Sequence, residues 1–156
     1  MFNQDRIRVT ERSFKAGRAE VVAAVGKIRS LARKILIIGI YIPPRTRAKQ
    51  VTAIMDMLND EISKAKTELN DPIIILGGDF NKKPYGDAVN DFPDIKLLNT
   101  GPTRKNETLD LVFTNIHESD ASIEPPLETQ DGSLKSDHST VLVLSLIHIS
   151  EPTRPY

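Results

Sequence analysis

Two groups of residues in this chain have the types and spacing for acid–base chemistry. The aliphatic run from Ile73 closes on Gly77-Gly78-Asp79-Phe80-Asn81, and strand alternation carried that far puts Asp79 and Asn81 on one face and Phe80 on the other. Both polar side chains then face one cleft. The competing reading is a turn, because Asx side chains readily cap their own backbone. Farther along, Asp110 lies inside the aliphatic stretch TLDLVFT, where an ionised carboxylate costs several kcal/mol unless a donor meets it. His138 is the expected donor, with its imidazole oriented and held protonated by that carboxylate. The alternatives for Asp110 are a loop cap or a pair with Arg104. Basic residues follow the same strand ends: Arg45, Arg47 and Lys49, then Lys82 and Lys83, then Arg104 and Lys105. Each cluster alone reads as a solvated loop, but three around one cleft make a rim that attracts phosphate.

Composition narrows the chemistry. The 156 residues, 39% of them hydrophobic, suit one domain with its own core. Basic and acidic side chains number 21 each, so polyanion binding must come from local clusters rather than from the field of the whole molecule. With no cysteine and three histidines, a metal must be held largely by oxygen, which implies a hard cation such as magnesium. No stretch approaches the roughly 18 apolar residues of a membrane span. Met1 to Gly17 is polar where a secretory signal is apolar, so the expectation is an intracellular protein, nuclear or cytoplasmic, with no membrane partner.

The elements that must position these groups are readable from periodicity. Val21 to Val25 and Ile35 to Tyr41 read as strands, the second so continuously aliphatic that both of its faces should be covered. Val51, Ile54, Leu58, Ile62, Ala65 and Leu69 recur at three- and four-residue steps, predicting an amphipathic helix of about six turns over Thr46 to Leu69. Asn70-Asp71-Pro72 ends it, and Ile73 to Leu76 is a second buried strand. Shorter strands are expected at Lys96 to Leu98, Leu109 to Thr114 and Thr140 to Leu146, with Ser119 to Ser136 as a loop. Of the other histidines, His117 should be solvated at the start of that loop.

The motifs IYIPP, GGDFN, TLDLVFTN and SDHS, in this order, resemble the later motifs of the endonuclease/exonuclease/phosphatase superfamily of metal-dependent phosphodiesterases. The PTR at Pro102 to Arg104 further resembles endonuclease domains encoded by non-LTR retrotransposons. The resemblance covers about Glu20 to Val143. The resemblance implies a layered α/β-sandwich, two packed mixed sheets flanked by helices, that hydrolyses phosphodiesters in DNA with Mg2+, or Mn2+ in its place. It also implies a covalently linked reverse transcriptase domain in the full-length protein. Asp79 would be the base that orients or deprotonates the attacking water, with Asn81 bonding that water and the phosphate. Tyr41 would contact the phosphate, His138 would bind or protonate a phosphate oxygen with Asp110 orienting its ring, and Asp137 would lie beside the metal. Thr103, Arg104, Ser136 and Lys82 are weaker candidates for contacts to phosphate or nucleic acid. A phosphatase acting on small phosphoesters, or a noncatalytic remnant of a mobile element, are the alternatives.

Two departures from the family pattern shape the expected domain. An Asn on the first strand and a Glu that serves as the principal metal ligand normally precede the Tyr motif, and neither has a counterpart here. The upstream glutamates, Glu11 and Glu20, do not close an aliphatic strand. Residues 1–143 are therefore expected to be a domain lacking its N-terminal part and largely inactive as it stands. Residues 144–156, LSLIHISEPTRPY, resemble the translation of a sequencing-library adapter and are expected to be a non-native tail, which removes His148 from the site.

Overall fold

Between Ile35 and Tyr41 the side chains alternate, with Leu36, Ile38 and Ile40 buried and Ile37 and Tyr41 exposed. That period of two sorts an aliphatic strand onto a core face and an open face. The computed structural model describes residues 8–16, 19–27, 33–81, 92–98, 101–117, 119–129, 132–133 and 136–145. In chain order the elements are β1 (Arg8–Ala16), β2 (Ala19–Lys27), β3 (Ile35–Tyr41), α1 (Ala48–Glu68), β4 (Ile73–Asp79), β5 (Lys96–Leu97), β6 (Asp110–Thr114), β7 (Ser119–Glu124) and β8 (Thr140–Ser145). Six strands form one mixed sheet in the order β1-β2-β3-β4-β6-β5, and β7 and β8 pair antiparallel in a second sheet. Among the described strands only β3 and β4 run parallel, and α1 is the crossover that a parallel pair requires. The architecture is the expected α/β class with two sheets and a helix.

Helix α1 follows from its pattern. Val51, Ile54, Met55, Leu58, Ile62 and Ala65 are buried and join one core with Val21, Leu36, Ile38, Ile40, Ile74, Leu76, Phe80 and Phe113. At its start the Arg47 N–H donates to Gln50 Oε1 at 3.2 Å, occupying one of the donors that a helix leaves unpaired. At its end Asn70 and Asp71 take φ of 59° and 54°, a left-handed exit that these short polar residues tolerate. The chain then reverses into β4. Among the described residues no helix is long and apolar enough to cross a membrane.

Two expectations need correction. β3 is not covered on both sides: Ile37 is 51% exposed, and its neighbour Val22 on β2 is 62% exposed, so the sheet face turned away from α1 is open there. A run of isoleucines cannot reveal whether its second face finds a covering layer. The segment Ser119 to Ser136 is not all loop, because Ser119–Glu124 forms β7 with alternating half-buried and exposed residues. Its Ser and Asp residues are weak strand formers, and pairing with β8 overrides that local preference. The polar stretch before Gly17 also contains β1, paired with β2 along Arg8 to Ala16. Leu144 and Ser145 pair with Asp120 and Ser119 in β8, within the strand expected over Thr140 to Leu146, and 146–156 lie outside the described residues.

Two side chains, Arg33 and Asn115, fix the entry to β4. Asn115 Oδ1 accepts from Ile74 N–H at 2.8 Å and its Nδ2 donates to the Pro72 carbonyl at 2.8 Å. Asn115→Ala leaves the Ile74 N–H without its partner and the Pro72 carbonyl with only the Arg33 guanidinium, which donates to it at 3.0 Å, and we expect a loss of about 1–3 kcal/mol in urea unfolding. A loss below about 0.5 kcal/mol would mean that water replaces the amide without cost.

Candidate active site

The sheet register places the site. Tyr41 on β3 stands opposite Asp79 on β4, and Asp79 stands opposite Asp110 on β6. The three residues occupy one row across adjacent strands, each strand about 4.8 Å from the next. The row continues to Glu20 on β2, which is paired with Tyr41. Glu20, set aside in the sequence because it opens a strand rather than closing one, is thus brought into line by antiparallel pairing. Only the β2–β3 register could have revealed it. Backbone bonds anchor the row: Ile42 N–H donates to the Asp79 carbonyl and Phe80 N–H to the Leu109 carbonyl, both at 2.8 Å.

Asp79 and Asn81 do share a side of the molecule, but not through continued strand geometry. Asn81 takes φ of 52°, and its N–H donates to Asp79 Oδ1 at 2.8 Å, an Asx turn. Turn and site, weighed as rivals in the sequence, are the same feature. Asn81 Nδ2 donates to Asp79 Oδ2 and to the Ile42 carbonyl, at 3.0 Å each. Both amide hydrogens are committed, so an Nδ2 contact to phosphate requires one of these bonds to break. Phe80 turns the other way, fully buried, with its ring 5.9 Å from that of Phe113.

Asp110 and His138 meet. His138 Nδ1 lies 2.8 Å from Asp110 Oδ2, and both side chains are about one-fifth exposed, at 20% and 22%. Arg104, the rival partner for Asp110, instead grips Asp137: its Nε and one terminal nitrogen lie 2.7 and 2.6 Å from Asp137 Oδ2. One ligand atom each from Asp79, Asp110 and His138 lie within 4.8 Å of one another. The two carboxylates fit a hard divalent cation of the magnesium or manganese kind, with the imidazole, whose Nδ1 is taken by Asp110, beside it. Asp137, expected beside the metal, is not in this group, because the guanidinium holds its carboxylate; its Oδ1 stays 3.9 Å from His138 Nε2.

Electrostatics separates the acids. Burial holds the Asp79 carboxyl above the usual aspartate range, and the nearby Asp110 charge adds to this. The Asn81 N–H, His138 and Arg104 oppose the shift without cancelling it. A carboxylate made more basic in this way accepts a proton from water more readily. Asp137 goes the other way, its carboxyl lowered chiefly by the hydrogen bond from Arg104.

The weaker candidates fall out differently. Thr103, expected at phosphate, is fully buried, and its hydroxyl accepts from Leu109 N–H and Asp110 N–H at 3.0 Å each. No face of it is left for a ligand. Ser136 is exposed, and its Oγ accepts from His138 N–H at 3.0 Å, closing the turn that presents the imidazole. Tyr41 is 42% exposed on the open side. Arg45 and Arg47 are exposed after β3, whereas Lys82, Lys83 and His148 lie outside the described residues.

With this geometry established, comparison with known structures is decisive for the fold. A truncated Caenorhabditis elegans TDP2 superposes with TM-score 0.68 at 14% identity, over 88% of this chain and 66% of that one. The human Nocturnin catalytic domain gives 0.63 at 17% identity, over 88% and 58%. An endonuclease/exonuclease/phosphatase family protein from Bacteroides thetaiotaomicron gives 0.60 at 15% identity, over 83% and 57%. This chain has the endonuclease/exonuclease/phosphatase fold. It spans between about half and two-thirds of the length of the structures it resembles. No protein-family model and no curated protein matches the sequence.

Proposed function

We propose that the chain is the catalytic part of a divalent-cation-dependent DNA endonuclease of retrotransposon type, which hydrolyses phosphodiesters by direct attack of water. The observation that carries this reading is the convergence of Asp79, Asp110 and His138 within 4.8 Å, from positions far apart in sequence, at one rim of the sheet. Asp79, made basic by burial, takes the proton of the attacking water. Asn81 fixes that carboxylate through its N–H and Nδ2. Asp110 orients His138 through Nδ1, which leaves Nε2 of the protonated ring to donate to a phosphate oxygen. Tyr41, exposed in the same row, contacts the phosphate. Asp79 and Asp110 would hold the cation, which supplies positive charge where the phosphoryl oxygens become more negative.

DNA as substrate draws support from D. rerio TDP2, a fold neighbour solved with a single-strand DNA product, and the retrotransposon subtype from the PTR before TLDLVFTN. A reverse transcriptase domain in the same polypeptide belongs to this reading. The test is plasmid nicking in Mg2+ by the longest form of the protein that its gene encodes. His138→Ala should slow nicking roughly 10²–10³-fold, and undiminished nicking would remove the imidazole from the mechanism.

A phosphatase acting on small phosphoesters is the second reading, favoured by the shared fold of a Bacteroides thetaiotaomicron mannosyl-6-phosphatase. Salt separates the two. A DNA enzyme releases counterions on binding, so raising salt from 50 to 200 mM should weaken its binding by about tenfold or more, even with only a few phosphate contacts. Turnover of a small phosphoester that outpaces nicking and ignores salt would favour the phosphatase.

A further inference from the structure

His138 reaches the site from a turn, and a two-residue segment on the other side of the dyad bonds to both of its chain neighbours. Thr103 Oγ1 accepts from Leu109 N–H and Asp110 N–H at 3.0 Å, which sets the backbone from which the Asp110 carboxylate projects. The carbonyl of the same residue accepts from Ser139 N–H at 2.6 Å, immediately after His138. The next residue, Arg104, holds Asp137, immediately before His138, through two nitrogens on Oδ2. Each chain neighbour of His138 is therefore gripped by one member of the pair. The segment is itself stiffened: Thr103 N–H and Arg104 N–H both donate to the Glu107 carbonyl, at 2.9 and 3.0 Å, and Glu107 N–H returns to Arg104 O at 2.9 Å.

We propose that Thr103 and Arg104 are positioning residues that bracket His138 and hold its imidazole on Asp110. The buried hydroxyl has both lone pairs occupied by backbone donors, which suits a structural hinge pin and not a contact to substrate. Ordering two segments 28 positions apart costs backbone entropy, and these bonds offset it. The catalytic consequence rests on the phosphodiesterase reading, but the bracket is a claim about the dyad that stands without it.

The test follows the hydrogen-bonded His138 Nδ1 proton by NMR in the full chain, a readout independent of any hydrolysis. Thr103→Ser keeps the hydroxyl and should keep this resonance as in the unaltered protein. Thr103→Val should lose it while the amide signals of α1 remain, and Arg104→Gln should speed its exchange with solvent roughly tenfold, the scale of one net hydrogen bond. Unaltered protection of the proton in a folded Thr103→Val or in Arg104→Gln overturns the proposal, as does its loss in Thr103→Ser. Should Thr103→Val fail to fold, the Arg104 variant decides alone. Normal nicking with an unprotected proton would overturn the catalytic consequence and leave the bracket in place, whereas absent nicking with a protected proton counts against the function and not the bracket.

Discussion

Asp79→Asn should cut Mg2+-dependent nicking by roughly 10²–10⁴-fold, the range that a positioned general base supplies. Asparagine keeps the shape and the Oδ1 acceptor for Asn81 N–H and gives up only the acceptor at Oδ2, while Asn81 Nδ2 keeps the Ile42 carbonyl, so the fold and the turn should survive. The variant also carries a stability signature of defined sign. Because the Asp79 carboxyl lies above its usual value of 3.8 in the folded chain, the folded state binds that proton more readily than the unfolded one. The ionised form therefore costs stability above the folded value, and the cost is relieved as pH falls through that value toward 3.8. In urea unfolding between pH 4 and 7, the unaltered chain should show a downward contribution with rising pH that Asp79→Asn lacks. Nicking that survives the substitution would refute the base assignment. Identical pH slopes would instead refute the burial argument.

Gly78→Ala should leave little folded protein. A Cβ at Gly78 would fall 1.9 Å from the Ile40 carbonyl oxygen, and its φ of 154° is one that side chains rarely adopt. Since the obstacle is backbone, relief means separating β3 from β4, the parallel pair at the centre of the sheet. Strain and overpacking each cost about 1–3 kcal/mol, and their sum approaches the roughly 5–15 kcal/mol by which a domain is stable at all. Gly77→Ala is the control, because its Cβ would meet Val112 Cγ2 at an ordinary 3.5 Å, and it should shift unfolding by less than about 1 kcal/mol. Equal soluble yield and equal denaturation midpoints for the two variants would contradict the clash.

Much of the fold was legible because single elements announce themselves. The helix expected over Thr46 to Leu69 is Ala48–Glu68, and the strand expected at Ile35 to Tyr41 has those bounds. Both are set by apolar periodicity, a local property. β1 and β7 were hidden for the converse reason: most of their residues are charged, polar or small, and pairing with a partner strand holds them extended. The site divides along the same line. That a carboxylate inside the aliphatic stretch TLDLVFT needs a donor is a local argument, and it led to His138. The capture of Asp137 by Arg104, the burial of Thr103 and the alignment of Glu20 with Tyr41 all depend on register and loop packing, which residue types do not encode.

The row that joins Tyr41, Asp79 and Asp110 makes strand length as binding as residue identity. Deleting one glycine from β4 would rotate everything beyond it by half a period, burying the aspartate among the phenylalanines and turning Phe80 out to solvent. Descendants of this chain can exchange side chains along that strand far more freely than they can gain or lose a single codon in it.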